Sequence, residues 1–341
     1  MSESVSPKAA IFGCAGLALS AEEEAFFKAA DPLGFILFAR NCETPEQVRD
    51  LVASFRAAVG RADAPVLIDQ EGGRVTRLKP PHWRDAPPAG LFGRMASHDW
   101  ERASEALRIN TQLLALELRD LGIDVDCVPL LDLQFPWASD AIGNRSFGGD
   151  PQLVAGLGRI VCETMLAQGV MPVVKHMPGH GRARVDSHKE LPVVGTAVPE
   201  LSATDFLPFE SLADAPWGMT AHVVFSALDP EQPATTSSKV IAEVIRGSIG
   251  FQGLLLSDDL SMEALHGTLA ERAGAALAAG CDIALHCNGK PEEMEQVAEV
   301  APAMSPAALR RFTCGRSRLG EPEALDSTLL QRRLDLLVNV T

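Results

Sequence analysis

The feature that most constrains this chain is a recurrence: eight short apolar runs, most of them separated by stretches of helical pattern. The runs cover residues 10–15, 34–38, 65–68, 123–129, 170–174, 217–221, 253–256 and 281–285. Many are apolar throughout rather than alternating, which marks parallel strands covered on both faces. Helical patterns over residues 45–59, 101–121, 151–168 and 239–249 lie between them, and Ser20 followed by acidic residues starts another helix. Eight strands with intervening helices predict an α/β fold, a closed (β/α)8 barrel of the TIM type. At 341 residues, length alone would suggest two domains, but a single barrel of that size is equally ordinary. The reading is therefore one catalytic domain over residues 1–341, with one or two terminal helices at about 305–341. An open doubly wound sheet is the alternative, but no Gly-x-Gly-x-x-Gly follows the first run.

A barrel carries its chemistry at the C-terminal ends of its strands. Polar residues gather at those places here. Arg40 and Asn41 follow the second run, and Asp69, Glu71, Arg74 and Arg77 the third. Asp132 and then Arg145 follow the fourth; Lys175 and His176 end the fifth. His222 follows the sixth, Asp258 and Asp259 the seventh, and Asn288 the eighth. Any one of them reads equally well as a helix cap or a loop hydrogen bond. Their convergence is what points to a site.

The densest stretch is residues 173–194, where an apolar strand runs into Lys175-His176-Met-Pro-Gly-His180-Gly and then Asp186-Ser187-His188. Three readings compete. His176, His180, His188 and Asp186 could ligate a metal, although Pro178 and Gly179 break the helix on which a His pair spaced by four would sit. The same residues could cap turns. Or the loop does acid–base chemistry. A carboxylate one residue from an imidazole can fix its tautomer and favour its protonated form, which is how a general acid/base is made.

Residues 175–181, with Asp186-Ser187-His188, resemble the Lys-His-Phe-Pro-Gly-His-Gly…Asp-Ser-His signature of family 3 glycoside hydrolases, and more closely the bacterial β-N-acetylhexosaminidase branch. Met177 stands where that signature has Phe. Asp69-Gln-Glu71-Gly-Gly-Arg-Val and Ser257-Asp258-Asp259-Leu-Ser-Met resemble two further motifs of the family. The resemblance covers roughly residues 34–288. It implies Asp258 as nucleophile, His188 as acid/base and Asp186 as its partner. It further implies sugar binding by Asp69, Arg77, Arg145, Lys175 and His176. Glu71 could be read as an acid, but the resemblance assigns it no role and a structural one is expected. Neighbouring residues on a strand point opposite ways, so only one of Asp258 and Asp259 can face a pocket, and the second is expected to cap a following helix.

What the resemblance implies is a retaining exo-β-N-acetylglucosaminidase. Its substrate would be an N-acetylglucosaminyl 1,6-anhydro-muropeptide met in the cytoplasm during cell-wall (peptidoglycan) recycling. No metal and no organic cofactor is implied. A phosphorylase using the same residues is the alternative, because a neutral imidazole does not repel an incoming phosphate as a carboxylate would.

The remaining features bound the partners. A formal charge of −15 disfavours nucleic acid and anionic membranes, and favours a neutral small molecule. Seven cysteines, odd in number and without a C-x-x-C pair, read as reduced residues of a reducing compartment. No apolar run is long enough to span a membrane. Residues 8–19 could pass for a signal peptide or a lipoprotein anchor at Cys14, but the part before Cys14 is short and Glu3 is acidic, so a first barrel strand is expected there.

Overall fold

A computed structural model describes residues 6–339; Glu3 and the extreme ends of the expected domain lie outside the described residues. Ten strands are present among the described residues: β1 (Lys8–Phe12), β2 (Pro32–Leu37), β3 (Val66–Ile68), β4 (Val125–Asp126), β5 (Met171–Met177), β6 (Val193–Val194), β7 (Trp217–Thr220), β8 (Val224–Phe225), β9 (Leu254–Leu256) and β10 (Ala284–His286). Eight of them form one all-parallel sheet in the order β10-β1-β2-β3-β4-β5-β7-β9. A single parallel bridge, Leu256 to Ile283, joins the two ends and closes the barrel. The expected fold is the observed one, and each of the eight apolar runs supplies one barrel strand.

The continuous apolar character of the runs has a direct cause. Successive side chains go alternately to the barrel interior and to the helices outside. Ile11, Ile36, Leu67, Val173, Met219, Leu256 and Leu285 fill the interior. Phe12, Phe35, Ile68 and Val174 face the outer layer, where Phe35 stacks on Phe55 of the helix Pro45–Val59 with ring centroids 4.1 Å apart. The helix Pro306–Arg316 closes the N-terminal end of the barrel: Phe312 packs on Trp217 at 5.8 Å, and Arg311 pairs with Asp282 at 2.7 Å. A second tail helix, Ser327–Val338, packs on Trp100–Asp120.

Three local outcomes differ from the sequence reading. The run at 123–129 contributes only the two ladder residues of β4. The segment 239–249 winds as a π-helix, Val240–Ser248, rather than an α-helix. And β6 and β8, two residues each, form a small separate sheet beside the barrel mouth that no pattern announced. The Ser20 start does hold: its hydroxyl accepts from Glu23 N–H, and the Glu23 carboxylate accepts from Ser20 N–H.

Candidate active site

Inward alternation places the key groups. Met171 and Val173 point into the barrel core, so Lys175 does too, one step beyond the packed layers. Leu67 is followed in the same way by Asp69, and Leu254 and Leu256 by Asp258. The interior face of these three strands thus changes from apolar to charged as it reaches the open end. One cleft there collects all eight residues to which the resemblance gives a role, but not Arg40, Asn41, Arg74, Asp132, His222 or Asn288. Asp69, Arg77, Arg145, Lys175 and His176 line its inner part, together with Asp258; Asp186 and His188 line its outer wall.

Lys175 is the electrostatic centre. Its side chain is 2% exposed, and Nζ lies 2.7 Å from Asp69 Oδ1 and 2.8 Å from Glu71 Oε1. Arg77 Nη2 donates to Asp69 Oδ2 at 3.0 Å. Arg145 grips Glu71 with two parallel bonds of 2.8 Å. Burial works against ionising Asp69 and Glu71, but Lys175 and the two guanidiniums outweigh it and hold both carboxyls below their ordinary range. Burial likewise opposes charge on Lys175, and the two carboxylates reverse that and raise it. Glu71 is therefore committed to orienting Lys175 and Arg145.

Asp132 orients the next part. Its Oδ2 accepts from His176 Nδ1 at 2.7 Å, and its Oδ1 from His180 N–H at 2.6 Å. With the proton on Nδ1, His176 turns Nε2 toward the cleft. His222, fully buried, lies 2.7 Å from Thr235 Oγ1 and 2.9 Å from the Asp259 carbonyl; burial keeps its pKa below normal.

Both adjacent aspartates line the cleft, against the expectation that only one would, but their hydrogen bonding separates them. Asp258 Oδ1 accepts from Asp259 N–H at 2.8 Å, and Oδ2 takes no hydrogen bond from the described residues. Burial disfavours its charge, but the imidazoles of His176 and His222, the Asp259 N–H and Lys175 keep its carboxyl below the usual range, so it is an anion at neutral pH. The Asp259 carboxylate is consumed: it accepts from Ser261 N–H at 3.0 Å, Ser261 Oγ at 2.6 Å and Cys287 N–H at 3.1 Å. It does not cap a helix, since the next helix begins only at Leu269; it ties a turn to β10. On the outer wall, Asp186 Oδ1 lies 2.9 Å from His188 Nδ1 and also accepts from His188 N–H at 3.0 Å. Partial burial opposes charge on Asp186, and these two bonds overcome it, lowering its pKa. His188 therefore offers Nε2 to the cleft.

Among the described residues, no group of three or more His, Cys, Asp or Glu side chains is arranged to hold a metal, and no helix is long and apolar enough to cross a membrane. All seven cysteines are free. Asp132, Glu71 and His180 are positions whose partners the sequence did not name: it offered Asp132 only as a strand-end polar group, Glu71 as a possible acid and His180 as a possible metal ligand. An aspartate or glutamate among loop residues carries no spacing that names its partner.

The buried histidines set an acid limit on stability. Burial lowers the His180 pKa from 6.5 to about 4. Its contribution is whole above pH 6.5 and shrinks as pH falls toward 4, because the unfolded chain binds the proton and the folded one does not; the loss at pH 5 is about 2 kcal/mol. Thermal melts should show Tm falling between pH 7 and pH 5, less steeply in His180→Gln. A Tm independent of pH over that span would contradict neutral burial of His180.

Barrel enzymes of the (β/α)8 class carry their active sites at the C-terminal ends of the strands, where this chain gathers its carboxylates and imidazoles. The model of the glycosyl hydrolase family 3 N terminal domain matches residues 8–310. A β-hexosaminidase of Pseudomonas aeruginosa is 40% identical over 280 residues, 81% of each chain. One of Chromobacterium violaceum is 38% identical over 322 residues, covering 92% of this chain and 88% of the relative. The crystal structure of NagZ from Neisseria gonorrhoeae, in complex with N-trifluoroacetyl-D-glucosamine, superposes with a TM-score of 0.85 at 30% identity over 98% of both chains. The chain belongs to glycoside hydrolase family 3, as a β-hexosaminidase of the NagZ type.

Proposed function

We propose that the chain is a retaining exo-β-N-acetylglucosaminidase working by double displacement, with Asp258 as nucleophile and the Asp186–His188 pair as acid/base. The observation that carries this is the division of labour in one cleft: an ionised Asp258 with a free Oδ2 on the floor, and an Asp-held imidazole, not a second carboxylic acid, on the wall. In the first step Asp258 Oδ2 bonds to the anomeric carbon, the bond to the aglycone oxygen breaks, and His188 Nε2 gives that oxygen its proton. In the second, His188 Nε2 takes a proton from water as the water oxygen attacks the same carbon and the ester releases Asp258. Two inversions leave the configuration retained. Asp186 stabilises the imidazolium formed between turnovers. Asp69, held by Lys175 and Arg77, can accept from two sugar hydroxyls at once, and Arg145 and His176 complete the grip.

The substrate we propose is an N-acetylglucosaminyl muropeptide of cell-wall recycling, processed in the cytoplasm. The solved relative that holds an N-acylated glucosamine supports the sugar; the seven free cysteines support a reducing compartment. The test is release of the aryl group from an aryl β-N-acetylglucosaminide in chelator and phosphate-free buffer. Turnover supports the hydrolase. Turnover only after phosphate is added, with a sugar phosphate as product, would replace it with a phosphorylase. Product under neither condition would overturn the substrate assignment.

A further inference from the structure

The loop that carries the Asp186–His188 pair leaves the barrel at β5 and is tied down at its root. Arg182 is buried and pairs with Asp205 at 2.7 Å and Glu200 at 2.8 Å, and Ser139 N–H donates to the Ala183 carbonyl at 2.8 Å. Beyond this root the chain runs toward solvent: Arg184 is exposed, lying over the ring of Trp137, and the His188 side chain is 68% exposed. Ser187, between Asp186 and His188, goes the other way and is 4% exposed. A serine is a poor residue to bury unless its hydroxyl is bonded. Its Oγ lies 2.9 Å from His180 Nε2. Among the described residues, this is the one side-chain hydrogen bond from residues 185–190 to any residue outside that stretch.

His180 is fixed on its other side. Its N–H is held by Asp132, and its ring meets His176 edge-on at 5.7 Å. Nδ1 is buried with no partner, so Ser187 is the ring's whole hydrogen bonding. The contact holds in either tautomer: Nε2–H donates to Ser187 Oγ, or the Ser187 hydroxyl donates to a bare Nε2. The same Asp132 carboxylate that aims His176 into the cleft thus also seats the ring that receives the loop.

We propose that His180 and Ser187 form a latch that positions His188 for proton transfer. The proposal rests on the reading of His188 as acid/base given above. Neither latch residue touches the reacting atoms; both are positioning residues. With the latch broken, the loop keeps its root but loses the peg nearest His188, and the imidazole samples placements from which Nε2 misses the glycosidic oxygen.

The test uses Ser187→Ala, Ser187→Thr and His188→Ala in the full chain, with kcat/KM measured for two aglycones. A 2,4-dinitrophenyl group departs without protonation; a sugar or alkyl aglycone needs the proton. For Ser187→Ala, kcat/KM on the unactivated aglycone is expected to fall about ten- to a hundredfold, with the dinitrophenyl substrate within about twofold of wild type. Ser187→Thr, which keeps the hydroxyl, should restore most of the loss. His188→Ala should show the same split more steeply. A His188→Ala split with Ser187→Ala at wild-type values on both substrates would overturn the latch and leave the acid/base role standing. An equal fall of Ser187→Ala on both substrates would also overturn it, because a role in shaping the cleft does not depend on the leaving group. No split in His188→Ala would remove the acid/base reading itself, and the latch with it.

Discussion

Asp258→Ala is expected to fold as the parent does and to lose at least about ten-thousand-fold in kcat on every aglycone. The reason is local. Asp258 Oδ2 is the carboxylate oxygen at the cleft floor without a protein hydrogen bond, while the neighbouring Asp259 oxygens already accept from Ser261 and Cys287. Alanine removes the atom that bonds to carbon in the proposed mechanism; Asp69 and Glu71 are held by Lys175, Arg77 and Arg145, and Asp186 on the wall is paired with His188. Asp258 bonds little besides Asp259 N–H and Thr220 Oγ1, so stability should change little. The measurement is steady-state turnover beside a thermal melt. Normal turnover in a folded Asp258→Ala would remove the mechanism at its root.

Lys175→Met should act on stability as well as on activity. The methionine matches the stem in volume but leaves two buried carboxylates, Asp69 and Glu71, without their shared cation. Removing one member of a buried ion cluster costs roughly 3–5 kcal/mol. The sign with pH follows from the direction of the shifts. In the parent, the low folded-state pKa values of Asp69 and Glu71 stabilise the fold above the unfolded carboxylate range. Without Lys175 those values rise, so the variant is weakest at pH 8, and its deficit shrinks as pH falls and the carboxyls protonate. Denaturant melts at pH 8 and pH 5.5 check this, and Glu71→Gln added to Lys175→Met should recover part of the loss. Equal deficits at both pH values would mean that the cluster does not set the stability of the site.

The barrel was legible because its strands must satisfy two apolar surroundings at once, and that requirement is written residue by residue in runs such as 170–174 and 253–256. The cleft was legible for a related reason: alternation carries a strand's inner face directly from Leu254 and Leu256 to Asp258, and from Met171 and Val173 to Lys175. What could not be read were pairings made across the fold. Glu71 and Arg145 are 74 residues apart, and Asp132 is 44 from His176. Nothing local to any of them says that the partner is near. The Asp259 expectation failed in the same way, since a cap and a tie to β10 need the same residue type in the same place. The β6–β8 pair is two residues long on each side, too short to leave a period.

The central claim is a covalent bond between Asp258 and the sugar. Its most direct test is mass spectrometry of His188→Ala quenched during turnover of a dinitrophenyl β-N-acetylglucosaminide. That variant keeps the nucleophile, needs no proton for the first step and lacks the base for the second, so the intermediate should accumulate. The account predicts one N-acetylglucosaminyl group per chain, on the peptide that contains Asp258. An unmodified protein during active turnover, or a sugar attached anywhere else, would contradict it, the former pointing to attack by the substrate's own acetamido group.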